Sequence, residues 1–479
     1  MKNPIERLKS ILLICLVISS IILTTNKWFN EKLWPEGYNF FSDAKNYFTN
    51  DKNNEESNYE ITDDILNPSR IILNNSGNHV LHSSSSDVYF LLLPEIKELL
   101  EKLVSEGTFV QIDESEWNSA LKSKSCYISY PVNYDSKFFF SKFSEFKDMP
   151  IKLVNEFMII GDIRIPSVMY VYVKDASDDT IYKKRINYDS KEIPIQIDSS
   201  YSDSDEIFYY SYELNFDRDN RNSVDDVIVI DPDVLINISS KNLPLISEVN
   251  VFENISANTA LCNKLLSAFG YNSSTIRKYI ENDNSIVFVE NYGSVKFHSN
   301  GTLDYKAVDN TKGIQLSSNS IFGCVNDCIA MVNEVSSSIG FDKKMHCVMS
   351  SDIKDFNSNT FTLTFDYYSD DNMIIIPSEI YGINHAVEVE VVSGKIVAYK
   401  QIFKRFKATE NYVSCNSAID AIDKVRAMDI SDFDRITDIF TAYTFDVNSR
   451  NWLPSWHIED SDSEIFTVVT NEVNTNELE

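Results

Sequence analysis

Apolar and polar residues alternate along most of this chain at the spacings of short helices and strands, but one long apolar run stands apart at the N-terminus. That run, Ile11–Thr25, contains no charged residue. As a helix it measures about 22 Å, which is short for a hydrocarbon core of about 30 Å. Leu8, Trp28 and Phe29 at the two interfaces would make it long enough. The pattern therefore predicts a transmembrane helix over residues 11–29.

Charge around the apolar run predicts its orientation. Residues 1–10 carry three basic side chains and one acidic one, and basic residues favour the cytoplasmic side of a membrane. We therefore expect a cytoplasmic tail and a large body outside the cell. A cleaved signal peptide is the alternative, although residues 23–27 offer no Ala-x-Ala cleavage pattern. A lipoprotein signal at Cys15 is a third reading, but the residue before that cysteine is bulky.

The chain after the helix divides into a polar connection and a first mixed unit. Residues 30–58 are aromatic, then polar, and indicate a juxtamembrane segment and linker. Apolar residues at helical spacing predict a helix over 88–105. Short strands are expected on both sides of it, and polar residues 74–86 predict a loop. This is the expected N-terminal α+β domain, residues 59–150.

Two further units repeat one order of elements, a helix and then an antiparallel meander. The middle α+β domain, residues 151–308, begins with short strands, and helices are expected over 257–269 and 274–282. Hairpin turns at Asn291-Tyr-Gly293 and Ser299-Asn-Gly301 join its last strands. The C-terminal α+β domain, residues 309–479, repeats the order after a helix over 320–339. The predicted class is α+β, with a structural duplication, rather than a nucleotide-binding α/β sheet.

The composition excludes some partners. The formal net charge is −29, while apolar residues make up 43% of the chain, so the acidic balance accompanies a real core rather than disorder. Such a body is repelled by nucleic acid and by anionic polymers. We therefore expect no nucleic-acid partner.

The cysteines and histidines are the candidate metal ligands of the sequence. Cys324 and Cys328 would share one face of a helix, and His346-Cys347 lies further along, so a four-ligand zinc site is conceivable. A pair of cysteines four residues apart on a helix is also common in cores. Residues 217–225 resemble the start of a calcium loop but lack its central Gly and final Glu. We predict no metal and no cofactor, and the disulfide pairing stays open.

No motif in the sequence predicts catalysis. The chain has neither a Gly-rich phosphate loop, nor a His-Glu-x-x-His motif, nor a Gly-x-Ser-x-Gly elbow. His385, Glu388 and Glu390 are close in sequence, but on a strand His385 and Glu388 would point to opposite faces. His79, His82, His298 and His457 have no patterned partner. We predict a protein without enzyme activity and without catalytic residues.

Several short segments resemble, in order, the YycH family of membrane-anchored regulators from low-GC Gram-positive bacteria. The matching segments are Lys9–Leu13 with Thr24–Trp28, Leu66–Ile72, Ala268–Gly270 with Ile276–Asn282, Gly301–Tyr305 and Leu453–Trp456. The resemblance implies three extracellular domains, of which the last two are akin to the companion protein YycI. It also implies no enzyme activity. Members of the family modulate the sensor histidine kinase YycG (WalK) of the YycG/YycF (WalK/WalR) two-component system for cell-wall homeostasis, together with YycI.

The leading hypothesis is therefore an extracytoplasmic regulator whose single membrane helix contacts helices of a YycG-like kinase. Packing and polar contacts decide helix association in lipid. Ser19, Ser20 and Thr24 are the small polar residues available for such a contact. The alternatives are a membrane-anchored binding module for a cell-wall fragment or peptide and, with less support in the sequence, an anchored hydrolase. The signal sensed and the sign of regulation do not follow from the residues.

Overall fold

The computed structural model describes residues 67–468, with the exception of some short stretches: residues 106, 142, 144–148, 200–206, 215–228, 254, 256–257, 318–319, 342–343, 354–359, 428–434 and 462–464. Strands dominate this part of the chain, and helices are fewer and mostly short. The predicted mixed α+β class is confirmed.

Eight helices lie within the described residues: α1 (Asp87–Ser105), α2 (Glu114–Leu121), α3 (Ser136–Ser141), α4 (Glu192–Ser199), α5 (Thr259–Ala268), α6 (Ile321–Ser336), α7 (Ser378–Tyr381) and α8 (Ala418–Ala427). The strands of the same part are β1 (Arg70–Asn74), β2 (His79–His82), β3 (Val110–Ile112), β4 (Ser125–Asp135), β5 (Leu153–Gly161), β6 (Val168–Asp175), β7 (Ile181–Asn187), β8 (Phe208–Tyr210), β9 (Val229–Ile230), β10 (Leu235–Asn237), β11 (Lys241–Asn250), β12 (Arg277–Ile280), β13 (Ile286–Glu290), β14 (Gly293–Phe297), β15 (Thr302–Ala307), β16 (Ile314–Gln315), β17 (Met345–Met349), β18 (Thr360–Ser369), β19 (Asn372–Ile374), β20 (Val387–Val392), β21 (Lys395–Ile402), β22 (Lys404–Cys415), β23 (Arg435–Asp446), β24 (Asn451–Asp460) and β25 (Ile465–Val468).

The strands form two sheets. The first sheet has nine strands in the order β10-β8-β2-β1-β4-β5-β6-β7-β3. The second sheet has sixteen strands, and its main path runs β12-β13-β14-β15-β21-β20-β18-β19-β23-β24-β11-β22. Neighbouring strands are antiparallel except where β19 and β9 pair with β23. Most neighbouring strands are consecutive in the sequence and form hairpins, since a short turn can join two antiparallel strands.

Helix α1 covers one face of the first sheet. Its buried residues recur at Leu92, Ile96, Leu99 and Leu103, the helical spacing from which residues 88–105 were predicted to be a helix. These side chains belong to one core with sheet residues such as Ile71. Fully burying a leucine stabilises a fold by about 1.5–3 kcal/mol. The apolar stripe therefore holds the helix against the sheet.

The opposite face of the first sheet has its own smaller core. Trp117 and Leu121 of α2 pack there with Tyr127, Met158 and other residues of the sheet. Successive side chains on a strand point to opposite faces, so β4 and β5 contribute to both cores. Polar and charged side chains occupy the end of this second face.

One predicted helix is wrong. Residues 274–282 were expected to be helical, but Arg277–Ile280 forms strand β12, which pairs with β13. The turn between these strands has Asn284 in the left-handed region at φ 66°, a conformation that Asn tolerates better than most residues. The Glu281 amide also donates to the Ser285 carbonyl at 2.9 Å. A hairpin turn therefore decides the structure of a segment with helical periodicity.

The chain passes between the sheets several times within residues 207–214 and 229–250, which we call the crossing segment. Strands β8 and β10 belong to the first sheet, whereas β9 and β11 belong to the second. The Ser211 amide donates to the Val234 carbonyl at 2.9 Å, and the Asp231 amide donates to the Ile436 carbonyl at 3.0 Å. Val234 also packs in a core with α8 and β23. The two sheets are thus joined through main chain as well as side chains.

A second main-chain joint lies at the end of β4. Tyr134 pairs with Ile353 in an isolated parallel bridge. The Ile353 amide donates to the Asn133 carbonyl at 2.8 Å. The Asn133 amide in turn donates to Asp352 Oδ1 at 2.9 Å.

Strand pairing does not follow the predicted domain boundaries. The boundary at residue 150 falls between β4 and β5, which are hydrogen-bonded neighbours. The boundary at residue 308 falls between β15 and β16, both of which pair with β21. The division into three domains stays a prediction, and the hydrogen bonding groups the described chain into two sheets.

Candidate functional site

A row of polar side chains crosses one face of the first sheet at its end. Arg70 of β1 lies opposite Ser129 of β4, Ser129 lies opposite Glu156 of β5, and Glu156 lies opposite Lys174 of β6. Residues directly opposite each other on neighbouring strands have side chains on the same face. The register of three strand pairs therefore brings together residues that are far apart in the sequence.

The row meets carboxylates from outside the first sheet. Asp438 belongs to β23 of the second sheet, and Asp233 belongs to the crossing segment. We call Arg70, Glu156, Lys174, Asp233 and Asp438 the charged junction.

Arg70 and Asp438 form the direct ion pair of the junction. Arg70 Nη1 donates to Asp438 Oδ1 at 3.1 Å, and Nη2 donates to Oδ2 at 2.7 Å. This is the bidentate geometry in which a guanidinium group binds a carboxylate through two parallel hydrogen bonds. The Asp438 carboxylate raises the pKa of Arg70 above its ordinary value. The pair therefore ties the first sheet to the second with a fixed orientation.

Lys174 is shared between several carboxylates. Its Nζ lies 3.6 Å from Asp179 Oδ1 and 3.9 Å from Asp233 Oδ2. Burial lowers the pKa of Lys174, but the attraction of nearby carboxylates, chiefly Glu156 and Asp233, outweighs burial and raises it. Lys174 is therefore positively charged in the junction, and its ammonium group is shared between Asp179 and Asp233.

Glu156 is the unusual member. Its Oε2 is buried and has no hydrogen-bond partner. The pKa of Glu156 is raised to about 7, chiefly by burial and in part by the Asp233 carboxylate, while Lys174 and the Tyr127 hydroxyl oppose the rise. The Glu156 carboxyl group therefore gains or loses its proton near neutral pH, and it does so at the contact between the two sheets. Such a site can couple a proton to the contact between the sheets.

No local pattern in the sequence predicts the charged junction. A signal was nevertheless present, because Glu156 and Lys174 are charged residues in strands made mainly of apolar ones. Such residues are buried only at a cost unless they are paired. The partners could not be named from sequence, since Asp233 and Asp438 lie outside the first sheet's hairpins.

His385 forms a cluster whose geometry differs from that of a hydrolase triad. Its Nδ1 lies 2.9 Å from Asp366 Oδ2 and 3.3 Å from Ser350 Oγ. A triad needs the acid on one ring nitrogen and the nucleophile on the other, whereas here both partners face the same nitrogen. The hydrogen bond to Asp366 raises the pKa of His385 against the effect of burial. The cluster fits a structural ion pair better than a nucleophile with its base.

His79 has partners that its sequence context did not reveal. The predicted loop 74–86 contains strand β2, and there His79 Nδ1 lies 2.8 Å from Asn74 Oδ1. Its Nε2 lies 2.9 Å from Glu213 Oε2. Burial lowers the pKa of His79, and Glu213 opposes this. This mostly buried network lies where the crossing segment begins, and we assign it a structural role.

The imagined zinc ligands do not assemble. Cys324 and Cys328 are buried on α6, and Cys347 is buried on β17. Burial raises the pKa of the Cys347 thiol beyond its ordinary value, which disfavours the thiolate that a metal needs. Among the described residues, no group of three or more His, Cys, Asp or Glu side chains could hold a metal ion. The calcium-like residues 217–225 lie outside the described residues.

The predicted helix-contact residues Ser19, Ser20 and Thr24 lie outside the described residues, as does the whole predicted membrane segment. Within the part that the structure describes, no helix combines the length and the apolar character needed to span a bilayer.

Comparison with known proteins bears on the fold alone. No family model matches the sequence, and no curated protein matches it. The structure is similar to that of YycH from Bacillus subtilis, with a TM-score of 0.55 and 12% identity over 84% of this chain and 95% of that one. An uncharacterized protein from Eubacterium rectale is similar over 51% of this chain and 87% of its own, at 13% identity, but its TM-score of 0.34 is too low to support an argument. The chain therefore has a YycH-like fold.

Proposed function

We propose that this protein is a membrane-anchored, extracytoplasmic regulator that modulates a cell-wall-sensing histidine kinase of the YycG (WalK) type, together with a YycI-like partner. The observation that carries the proposal is the YycH-like fold, which extends over 84% of the chain. The short sequence segments that resemble the YycH family, which occur in the same order from Lys9 to Trp456, support the proposal independently.

We also propose that the protein has no enzyme activity. A YycH-like fold is not a known enzyme fold. The Ser350–His385–Asp366 cluster supports this reading, because its two oxygen partners share one ring nitrogen.

The proposed location follows from the N-terminal segment. Basic residues before the apolar run favour a cytoplasmic N-terminus, which leaves the folded body outside. Protease added to intact cells should then remove the body and leave a small N-terminal fragment. A mature chain that begins after Thr25 would contradict the anchor.

The helix is proposed to take part in kinase contact. Ser19 and Ser20, with Thr24 one turn beyond Ser20, permit close approach and polar contact between helices. Lipid gives no hydrophobic drive to helix association, so small contacts of this kind can decide partner choice.

The test is co-purification of the full-length chain with a YycG-type kinase and a YycI-like protein from the same membrane. Replacement of residues 11–25 by an unrelated spanning helix should lower co-purification and change kinase output while the body stays folded. Unchanged values after this replacement would reduce the helix to an anchor. Absence of both partners from the wild-type sample would contradict the regulatory role and favour a wall-binding module.

A further inference from the structure

We propose that the charged junction responds to pH through Glu156: when this carboxyl group ionises, the second sheet and the β9–β10 turn that carries Asp233 are held less tightly against the first sheet. The proposal goes beyond the regulatory role, because it concerns the folded chain itself and holds whichever partner the protein binds.

Strand register fixes the position of Glu156 in the fold. It lies in the middle of the charged row, between Ser129 and Lys174 on the neighbouring strands. Its Oε2 is buried and has no hydrogen-bond partner. A protonated carboxyl group tolerates this position, whereas a carboxylate loses the hydration that stabilises its charge.

Carboxylates from two other elements surround Glu156 with negative charge. Asp233 of the crossing segment and Asp438 of the second sheet both disfavour the ionised form of Glu156. Ionisation therefore places like charges against each other across the contact between the two sheets. Repulsion of this kind is relieved when the facing elements separate.

Among the described residues, the cations near Glu156 also pair with other carboxylates. Arg70 is engaged by Asp438 through two hydrogen bonds. Arg435 of β23 pairs with Asp231 of the crossing segment. These two guanidinium groups already have carboxylate partners, so neither compensates a new charge fully.

Lys174 and Tyr127 complete the surroundings of Glu156. Lys174 faces it from β6 but also contacts Asp179, in the turn that follows β6, and Asp233. Tyr127 of β4 supplies a hydroxyl group. The partial compensation by these two groups limits the penalty of ionisation without removing it.

Proton linkage gives the expected size of the pH effect on opening. Burial raises the pKa of Glu156 to about 7 from 4.5. A raised carboxyl pKa gives stability that is complete below the unfolded value and is lost as the pH rises through the folded value. If opening restores an ordinary carboxyl group, the opening equilibrium constant should increase about tenfold between pH 6 and pH 8.

Hydrogen exchange on the full-length chain in detergent tests this directly. The reporters are two amides whose hydrogen bonds join the two sheets: the Asp135 amide, bonded to the Ile353 carbonyl, and the Ile353 amide, bonded to the Asn133 carbonyl. After correction for the intrinsic pH dependence of exchange, opening at these amides should be about tenfold greater at pH 8 than at pH 6. Glu156→Gln should remove the increase, while Glu101→Gln on the exposed side of α1 should retain it.

Two further variants keep the proposal testable if Glu156→Gln does not fold. Asp233→Asn removes a like charge and should move the midpoint of the transition to lower pH. Lys174→Gln removes an opposite charge and should move the midpoint to higher pH. Equal protection at pH 6 and pH 8 in the wild type, or a pH dependence that persists in Glu156→Gln, would overturn the proposal. Midpoints that stay unchanged in both neighbouring variants would do the same.

Discussion

Arg70 and Asp438 are 368 residues apart in the sequence, and their side chains meet in a two-point ion pair between the two sheets. Arg70 sits near the start of the described chain, and Asp438 sits on the long β23–β24 hairpin near its end. The pair therefore links the N-terminal and C-terminal parts of the described chain, and it lies near the buried carboxyl group of Glu156. Its contribution to stability can be separated from that of the surrounding core.

The Arg70–Asp438 pair should contribute more than an exposed ion pair. The two side chains are 37% and 27% exposed, and bidentate geometry strengthens a partly buried pair. A double-mutant cycle with Arg70→Gln and Asp438→Asn, followed by urea unfolding, should give a coupling energy of about 1 kcal/mol.

The Lys124–Asp198 pair provides the matched control, since its side chains are 56% and 64% exposed. Its coupling energy should stay below about 0.5 kcal/mol and fall with added salt. Equal coupling energies for the two pairs would contradict the structural role given to Arg70.

Removing the Lys404 charge should be strongly destabilising. Lys404 is buried, contacts the Glu248 carboxylate and donates to the Tyr381 hydroxyl at 2.7 Å. Glu248 also accepts from Trp452 Nε1 at 3.1 Å. Lys404→Met leaves the half-buried Glu248 carboxylate, 18% exposed, without its cation and should cost up to about 3 kcal/mol in the free energy of unfolding.

The double variant Lys404→Met with Glu248→Gln is the informative comparison. It removes both charges and should recover part of the loss, because the desolvated carboxylate is then absent. Chemical unfolding of the three variants measures this. A double variant that is less stable than Lys404→Met would show that Glu248 acts through its other hydrogen bonds instead.

His457 should make the protein sensitive to acid. The residue is fully buried, and burial lowers its pKa from 6.5 to about 4. A lowered histidine pKa gives stability that is complete above the unfolded value and is lost as the pH falls from about 6.5 to about 4. The loss should be roughly 3 kcal/mol at most.

Urea midpoints measured between pH 4 and pH 8 check this prediction. His457→Asn should flatten the fall on the acid side, even if it lowers stability at every pH. Ser455→Ala removes the hydroxyl 2.9 Å from His457 Nε2 but keeps the imidazole, so it should retain the fall. An unchanged acid limb in His457→Asn would assign the sensitivity to other groups.

A polar contact in the membrane should have a modest effect. Ser20→Leu should weaken the proposed kinase complex by about threefold and by at most about thirtyfold, because such contacts contribute about 0.6–2 kcal/mol. Ile22→Leu keeps volume and apolar character and serves as the control. Quantitative co-purification in the same detergent measures both. An effect of equal size in the two variants would point to packing rather than to the serine.

The periodic elements could be predicted from the sequence. Helix α1 follows from leucines at helical spacing, and the β13–β14 hairpin follows from the turn at Asn291-Tyr-Gly293. These features depend on residues a few positions apart, whose preferences are visible locally. Element order also sufficed for the α+β class. The same reasoning failed for residues 274–282, because a turn at Asn284 and pairing with β13 overrode the local helical pattern.

The charged junction was decided by tertiary structure. Glu156 acquires its raised pKa only because β5 pairs with β4 and β6 in one register and because Asp233 and Asp438 arrive from other elements. In the unfolded chain each of these carboxyl groups is hydrated and separate. Local sequence determined which segments could become helices and strands, since periodicity and turn preference act over a few residues. Burial and long-range strand register determined which charges meet, since these depend on contacts across hundreds of residues.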